Sequence, residues 1–193
     1  MVLFAAVPRQ DTKPLAKSLL KQFGSFADVI SAEPSALKKI PGIGDAVVAV
    51  LKTIEGASHR LIQQNVLDKP VLSNWQALLD YLRVSMAYAM NEQFRVLFLN
   101  KKNILIADEV QQKGTVDHTP VYTREIIKRA LEVGATAIIM VHNHPSGDPT
   151  PSQADIQMTN DVKEAGEKMG IVLHDHVIVA RDGAQSFKSL GLI

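Results

Sequence analysis

The chain of 193 residues contains no cysteine. This absence excludes disulfide bonds, thiolate nucleophiles, iron–sulfur clusters and zinc sites with sulfur ligands. A transition metal would therefore have to be held by histidine and carboxylate side chains. The sequence also lacks an apolar run near the roughly 20 residues that cross a bilayer, and no basic leader precedes its short apolar start. We expect a cytoplasmic protein with no membrane partner.

Composition and charge indicate two domains. A hydrophobic fraction of 46% is ample for packed cores. Residues 1–70 carry nine Lys/Arg against six Asp/Glu (+3), whereas residues 71–193 carry twelve against fourteen (−2). The polar stretch 63–70, closed by Pro70, is the best boundary between them. We predict a small all-α domain over residues 1–68 and a second domain over residues 71–193.

Residues 1–68 have the pattern of short helices. The spacing of leucines over 14–23 predicts a helix that ends before Gly24. Ser25 is a suitable N-cap for a further short helix over 26–30. Asp45 begins a longer helix with apolar residues at helical spacing.

The second domain alternates between helix and strand patterns. The predicted helices cover residues 73–87, 123–133 and 152–169, and the predicted strands cover 92–100, 103–111, 135–141 and 171–180. The first two strands flank a short turn and predict a hairpin. The continuous apolar run ATAIIMV over 135–141 is typical of a central strand buried on both faces. This order predicts an α/β fold, a mixed sheet flanked by helices.

The most informative segment is HNHPSGDPTPSQAD, residues 142–155. Residues i and i+2 of a strand project from one face, so His142 and His144 can point two imidazoles at one ion. Ser152 is a suitable N-cap for the next helix, and Asp155 would lie in its first turn, where a carboxylate is favoured. Two histidines and one carboxylate leave one position of a tetrahedral zinc ion open, which is the arrangement of a catalytic Zn²⁺ site.

The spacing His-x-His-Pro, six residues, Ser, two residues, Asp resembles the JAMM (MPN+) metallopeptidase motif. The wider sequence, including Gly114-Thr115-Val116 and the segment 175–178 (DHVI), is similar to the RadC-like family. The resemblance covers nearly the whole chain. It implies a JAB1/MPN-like, cytidine-deaminase-like architecture preceded by a helix-hairpin-helix region. The chain begins inside what we expect to be the first helical element, which leaves open whether a preceding helix is missing.

The resemblance also implies a general base and an oxyanion partner. A glutamate on an early strand would be the base, and Glu92 matches that position. Alternation would place Glu92 on the face of Phe94, where apolar surroundings would raise the pKa of its carboxyl. Glu109 is the competing candidate. Ser152 would donate a hydrogen bond to the oxyanion, in addition to capping its helix.

A second polar cluster lies at residues 174–176. His174 and His176 could chelate a metal by the same alternation, but no nearby carboxylate reinforces that site. We favour the alternative that Asp175 or His176 orients a ligand imidazole by a hydrogen bond. His118, in the polar loop GTVDHTP, is interpreted as an ordinary loop histidine.

The segment Ile40–Ala46 (IPGIGDA) resembles the turn of helix-hairpin-helix modules. Its centre, Gly42-Ile43-Gly44, permits a tight turn and exposes backbone N–H groups that can hold a phosphate. Lys38, Lys39 and Lys52 could add charge contacts to DNA without reading its sequence. An ordinary inter-helix turn or a protein-interaction module remains the alternative.

Our leading hypothesis is therefore a zinc metallopeptidase or isopeptidase-like hydrolase that acts on a protein or peptide amide, joined to a module for non-specific DNA contact. The rival is a DNA-binding or DNA-repair/recombination-associated protein whose metal domain serves as a scaffold or acts on a non-protein substrate. A zinc deaminase is less favoured because its usual Cys ligands are absent. The sequence identifies neither the substrate nor the oligomeric state.

Overall fold

The computed structural model describes residues 2–113 and 122–193. The chain divides into two compact units, Met1–Leu61 and Ile62–Ile193. A helical amino-terminal region is followed by a mixed sheet with flanking helices, so the predicted fold class is confirmed. Within the described ranges, no helix has both the length and the apolar character that crossing a membrane requires.

The amino-terminal unit is built from short helices, as predicted. They are a 3-10 turn at Val2–Ala5, α1 (Lys13–Phe23), α2 (Phe26–Ser31), α3 (Pro34–Leu37) and α4 (Asp45–Gln63). Gly24 ends α1 with a φ of 102°, a conformation that glycine adopts without strain. Ser25 then caps α2, because its hydroxyl accepts the backbone N–H of Asp28. The unit has its own core, formed by Leu3, Leu19, Val29, Leu37, Ile43, Val47, Val48 and Leu51.

The second unit is organised around a mixed sheet of five strands in the order β2-β1-β3-β4-β5. Its elements are a 3-10 turn at Val71–Asn74, α5 (Trp75–Met86), β1 (Gln93–Leu99), β2 (Leu105–Lys113), α6 (Thr123–Glu132), β3 (Ala137–Asn143), α7 (Gln153–Lys168), β4 (Val172–Ala180) and β5 (Gly183–Ser186). β1 is antiparallel to β2 and β3, β3 is parallel to β4, and β4 is antiparallel to β5. The predicted hairpin of β1 and β2 is confirmed.

Alternation along the strands builds one apolar core on each face of the sheet. All seven residues of β3 are buried, as predicted for a central strand. Ile139 and Val141 pack on the face covered by α5, and Ile138 and Met140 pack on the face covered by α6 and α7. Continued by one pleat, this alternation directs His142 toward the α7 face and Asn143 toward the α5 face.

Two details of the second unit differ from the sequence predictions. β3 begins at Ala137, later than the predicted 135, because the N–H of Ala135 bonds back to Ala130 O at 2.8 Å and still belongs to the end of α6. β5 was not predicted. Its four residues (GAQS) lack an alternating apolar pattern, so only pairing with β4 identifies them as a strand.

Close packing seats α7 on the sheet. A Cβ at Gly166 would lie 2.7 Å from the carbonyl oxygen of Ile171, which is nearer than real Cβ atoms approach backbone. Gly166 O also accepts the N–H of Ile171 at 2.8 Å. The end of α7 is therefore held against the start of β4, which fixes where the opposite end of this helix meets β3.

Candidate metal centre

The two predicted histidine ligands lie at the end of β3. His142 is 1% exposed and stands opposite Phe94 in the antiparallel β1–β3 register. His144 follows the strand end, and its backbone N–H bonds to Val179 O of β4 at 2.9 Å. The two imidazole Nε2 atoms are 2.9 Å apart. Alternation at the strand end therefore brings both rings to one point, as predicted.

The predicted carboxylate ligand is held by the start of α7. Ser152 is the N-cap, and its hydroxyl accepts the N–H of Asp155 at 3.1 Å. In return, Asp155 Oδ2 accepts the Ser152 N–H at 2.7 Å and the Ser152 O–H at 2.6 Å. This reciprocal capping box orients the carboxylate without the help of a metal ion.

The three side chains converge on one small volume. Asp155 Oδ1 is 3.2 Å from His142 Nε2, and Asp155 Oδ2 is 3.7 Å from His144 Nε2. One ligand atom from each residue lies within 4.8 Å of the other two, so the group could hold a metal ion. Burial alone would raise the pKa of Asp155, but the hydrogen bond and charge of a protonated His142, which apply in the acid range where this carboxyl titrates, and the hydrogen bonds of Ser152 outweigh it and keep that pKa well below its usual range.

The hydrogen bonds of His144 show that the site fits a cation. Its Nδ1 lies 2.8 Å from the backbone carbonyl oxygen of Asp148. A carbonyl oxygen can only accept, so Nδ1 carries the proton, and Nε2 of the neutral ring presents a lone pair. That lone pair faces the ionised carboxylate of Asp155. Electron-rich atoms at this spacing repel one another, and a bound cation would relieve the repulsion.

Behind His142 lies a buried chain of hydrogen bonds. His142 Nδ1 is 2.8 Å from His176 Nε2, and His176 Nδ1 is 2.6 Å from Thr159 Oγ1. Thr159 Oγ1 lies 2.5 Å from the carbonyl oxygen of Asp155, one turn earlier on α7. His176 is fully buried, and this burial, with the charge of His142 when that ring is protonated, lowers the pKa of its imidazole well below the usual value. Full burial thus favours the neutral form of this imidazole.

A β-bulge directs His176 into this chain. On β4, Leu173 pairs with Ile138, but Asp175 pairs with Ile139, so His174 is an extra residue in the ladder. The imidazoles of His174 and His176 consequently do not meet, and His174 instead bonds to Asn103 Oδ1 at 2.7 Å. The alternative of a metal chelate formed by His174 and His176 is therefore not supported.

Asp175 does not reach a ligand imidazole. Its carboxylate accepts the Ser186 hydroxyl, the Lys188 N–H at 3.0 Å and the backbone N–H of His176 at 2.8 Å. These bonds connect β4 to β5 and to the residues that follow β5, on the face of the sheet opposite α7. Of the two residues predicted to orient a ligand imidazole, the structure brings only His176 to one.

Glu92 immediately precedes β1 and is half-buried. The segment around it is held by Asn143, the residue between the two histidines. Asn143 Oδ1 accepts the N–H of Gln93 at 2.8 Å, and Asn143 Nδ2 donates to Asn91 O at 3.2 Å. These two bonds hold the backbone of the residues on either side of Glu92. The backbone that carries Glu92 is therefore connected directly to the segment that carries the two histidines.

Glu109, the competing candidate base, has another partner. It lies on β2 and accepts the guanidinium of Arg129 through both oxygens, at 2.6 Å for Arg129 Nη2 to Oε1 and 2.9 Å for Arg129 Nε to Oε2. The hydrogen bond from Arg129 lowers the pKa of Glu109 despite partial burial. A base needs a pKa near the working pH. The paired Glu109 is therefore poorly suited to that task.

The residues predicted to contact DNA form the turn between α3 and α4. Gly42 has a φ of 89°, so the turn requires the left-handed region that favours glycine. Lys38 pairs with Asp45 at 2.5 Å, which reduces the charge available to a phosphate. Ile43 is buried in the core of the helical unit, whereas Lys39 and Gly44 are exposed. DNA contact through Lys38, Lys39 and Gly42–Gly44 stays a prediction.

Two polar residues of the site were missed by sequence reasoning. Asn143 stands between the two candidate histidine ligands, directly after a buried apolar strand, and this position could have marked it as a residue with fixed partners. Thr159 stands four residues after Asp155 and would have been found only by knowing that His176 faces α7. The predicted turn Gly114-Thr115-Val116 and His118 lie outside the described residues.

Comparisons with known proteins show that the candidate site lies within a matched domain. Residues 72–192 match the family model of the RadC-like JAB domain, which spans the sheet, α7 and all three candidate ligands. A protein of Rhodobacter capsulatus described as a UPF0758 protein is 58% identical over 193 residues, covering 100% of this chain and 90% of that relative.

Proposed function

The chain belongs to the RadC-like JAB domain family, and we propose that it is a zinc-dependent hydrolase that cleaves an amide bond of a protein or peptide. The observation that carries this proposal is the convergence of His142, His144 and Asp155 within 4.8 Å. Each residue comes from a rigid element end, and together they supply two nitrogens and one oxygen. Such a set leaves one coordination position open, as catalytic zinc sites do.

The spacing of the donor atoms suits zinc. With zinc–ligand bonds of about 2.0–2.1 Å at tetrahedral angles, ligand atoms lie about 3.3 Å apart. The nearest separations between pairs of these residues are 2.9, 3.2 and 3.7 Å, the last two measured to different oxygens of Asp155, and they lie around that value. Imidazole nitrogen and carboxylate oxygen are also ligands that zinc accepts readily. Only small side-chain adjustments would be needed to close the site around the ion.

The bound zinc would polarise the amide carbonyl and make a water molecule acidic enough to attack near neutral pH. Glu92 would take a proton from the attacking water and pass it to the departing nitrogen as the C–N bond breaks. Asn143 would hold the Glu92 segment in register with the histidines through its bonds to Gln93 and Asn91. The role of Glu92 is thus supported by its frame and by the engagement of its competitor with Arg129.

Ser152 would contribute a hydrogen bond to the oxyanion. Its hydroxyl proton is directed at Asp155 Oδ2, 2.6 Å away. To serve an oxyanion, that proton must turn from the carboxylate to the substrate. A donor of this kind contributes on the order of 3 kcal/mol in the transition state, which is more than the capping role alone provides.

Metal analysis tests the ligand assignment. We expect about one zinc per chain in the parent protein, as one ion per group of three ligands requires, and loss of that zinc in His142→Ala. His174→Ala is the matched control, since His174 belongs to the same unit but bonds to Asn103. Unchanged metal in His142→Ala, or equal loss in both variants, would reject the assignment.

Activity of Glu92→Gln tests the reaction. With a panel of peptide and isopeptide substrates, this variant should keep its zinc and lose at least about 10²-fold in kcat, the low end for a general base. A parent protein that holds zinc but cleaves nothing in the panel would favour the rival hypothesis, in which the metal domain is a scaffold or takes a non-protein substrate.

A further inference from the structure

The buried chain behind His142 can be assigned proton by proton. Thr159 Oγ1 contacts the carbonyl oxygen of Asp155 at 2.5 Å, and because a carbonyl only accepts, the hydroxyl must donate there. Its oxygen is then the acceptor for His176 Nδ1 at 2.6 Å, so Nδ1 of His176 carries a proton. The direction of the chain is therefore set at its Thr159 end.

The same logic applies to the next contact, between His176 and the ligand histidine, in the neutral form of His176 that its complete burial favours. With its proton on Nδ1, His176 presents a lone pair at Nε2, which lies 2.8 Å from His142 Nδ1. His142 must then carry its own proton on Nδ1, and its Nε2 presents a lone pair toward His144 and Asp155. We propose that Thr159, acting through His176, is a positioning residue that fixes the metal-binding tautomer of His142.

This assignment matters because His142 has an attractive alternative. If the proton were on Nε2, it could be donated to Asp155 Oδ1 at 3.2 Å or to His144 Nε2 at 2.9 Å, and the three groups would satisfy one another without a metal. That arrangement would have to be undone before a cation could bind. The Thr159 hydroxyl disfavours this arrangement. Acting through His176, it places the His142 proton on Nδ1, so that His142 Nε2 is a hydrogen-bond acceptor facing two other acceptors, His144 Nε2 and the Asp155 carboxylate.

Asp155 and Thr159, which lie one turn apart on α7, stand at the two ends of this hydrogen-bonded chain. Asp155 offers its carboxylate to the site and its backbone carbonyl to Thr159, four residues later. Thr159 and His176 are both fully buried, so water does not compete for their hydrogen bonds. This inference rests on the proposed metal site, but it concerns the protein's own protons and can be tested without substrate.

The first test is the tautomer state of the metal-free parent protein. Long-range ¹H–¹⁵N correlations of ¹⁵N-histidine-labelled protein distinguish an Nδ1–H ring from an Nε2–H ring. We expect Nδ1–H for both His142 and His176, and an Nε2–H form of either ring would overturn the proposal. The test needs no variant and no metal, so its outcome is independent of whether the protein hydrolyses anything.

The second test removes the hydroxyl. In Thr159→Val, His176 Nδ1–H would lose its acceptor, so both rings should change to the Nε2–H tautomer. Affinity for Zn²⁺, measured by competition with a chromophoric chelator, should fall by roughly 10–100-fold. Thr159→Ser, which restores the hydroxyl, should recover both readouts. A Thr159→Val protein with Nδ1–H rings and parental affinity would contradict the proposal.

A matched control separates this role from a general effect on helix stability. Thr53 on α4 also donates its hydroxyl to the carbonyl four residues earlier, at 2.8 Å to Ala49 O. Thr53→Val should leave both the tautomers and the zinc affinity unchanged. If zinc affinity fell equally in Thr53→Val and Thr159→Val, the loss would reflect helix stability, and the positioning role would be rejected.

Discussion

Two helices of this protein, one in each unit, begin with almost the same four residues. Ser25 caps α2, whose first residues are Phe26-Ala27-Asp28, and Ser152 caps α7, whose first residues are Gln153-Ala154-Asp155. In both, the serine hydroxyl accepts the aspartate N–H at 3.1 Å and donates to the carboxylate at 2.6 Å. Of these two aspartates, only Asp155 belongs to a group of potential metal ligands within residues 2–113 and 122–193.

The difference between the two caps lies in what faces the carboxylate. The capping box is a local device that starts a helix, and it arises wherever Ser-x-x-Asp precedes helical residues. At α7 the end of β3 adds two imidazoles, so Asp155 Oδ2 serves the cap while Oδ1 faces His142. The carboxylate of a helix cap thus becomes a candidate ligand because the end of the preceding strand meets it, and the cap has already fixed the orientation of that carboxylate.

The largest expected effect comes from removing the charge of each carboxylate in turn. Asp155→Asn keeps an oxygen that can accept the capping bonds, but the neutral amide is a poor metal ligand. We expect a loss of zinc affinity larger than the roughly 10–100-fold caused by changes in outer hydrogen-bond partners. Asp28→Asn should bind zinc like the parent protein in the same competition assay. Similar affinities in the two variants would show that the caps do not differ in function.

The next effect concerns the two serines. Ser25→Ala and Ser152→Ala each remove a cap, which destabilises by about 1 kcal/mol in chemical denaturation. If Ser152 also serves the oxyanion, Ser152→Ala should lower kcat per bound zinc by about 10²–10³-fold. Ser25→Ala should hydrolyse like the parent. Equal activities in the two variants would leave Ser152 with its capping role alone.

The comparison also explains which parts of the site could be predicted from sequence. His142, His144 and Asp155 were found because alternation in a strand and a helix cap are local rules that apply within 14 residues of chain. The central position of β3 followed from its continuous apolar run. These features need no knowledge of tertiary contacts.

The remaining parts depend on pairing between distant segments. His176 faces His142 because a bulge at His174 shifts the β4 register by one residue. No pattern in the sequence predicted this bulge. Asn143 meets residues 91–93 only because β1 lies beside β3. β5 is defined by its partner strand. Sequence reasoning therefore located the three candidate ligands, while the groups that contact them are evident only from the sheet topology.

The smallest expected effect is an acid dependence of stability in the metal-free protein. An unfolded aspartate has a pKa near 3.9. Burial would raise the pKa of folded Asp155, but in this acid range a protonated His142 and the hydrogen bonds of Ser152 together outweigh the burial and lower it. Between these two values the unfolded chain binds a proton that the native protein does not. The stabilisation by Asp155 is therefore fully present above about pH 5 and is lost as pH falls toward the folded pKa.

Denaturant titrations of the parent and Asp155→Asn between about pH 5 and pH 2 measure this contribution. The parent should lose up to about 1.4 kcal/mol more per pH unit than the variant, the slope that one linked proton produces. Asp28→Asn controls for loss of a carboxylate from the same motif. If the parent and Asp155→Asn had parallel profiles, His142 and Ser152 would not hold Asp155 in its ionised form, and the two caps would not differ in the charge of their carboxylates.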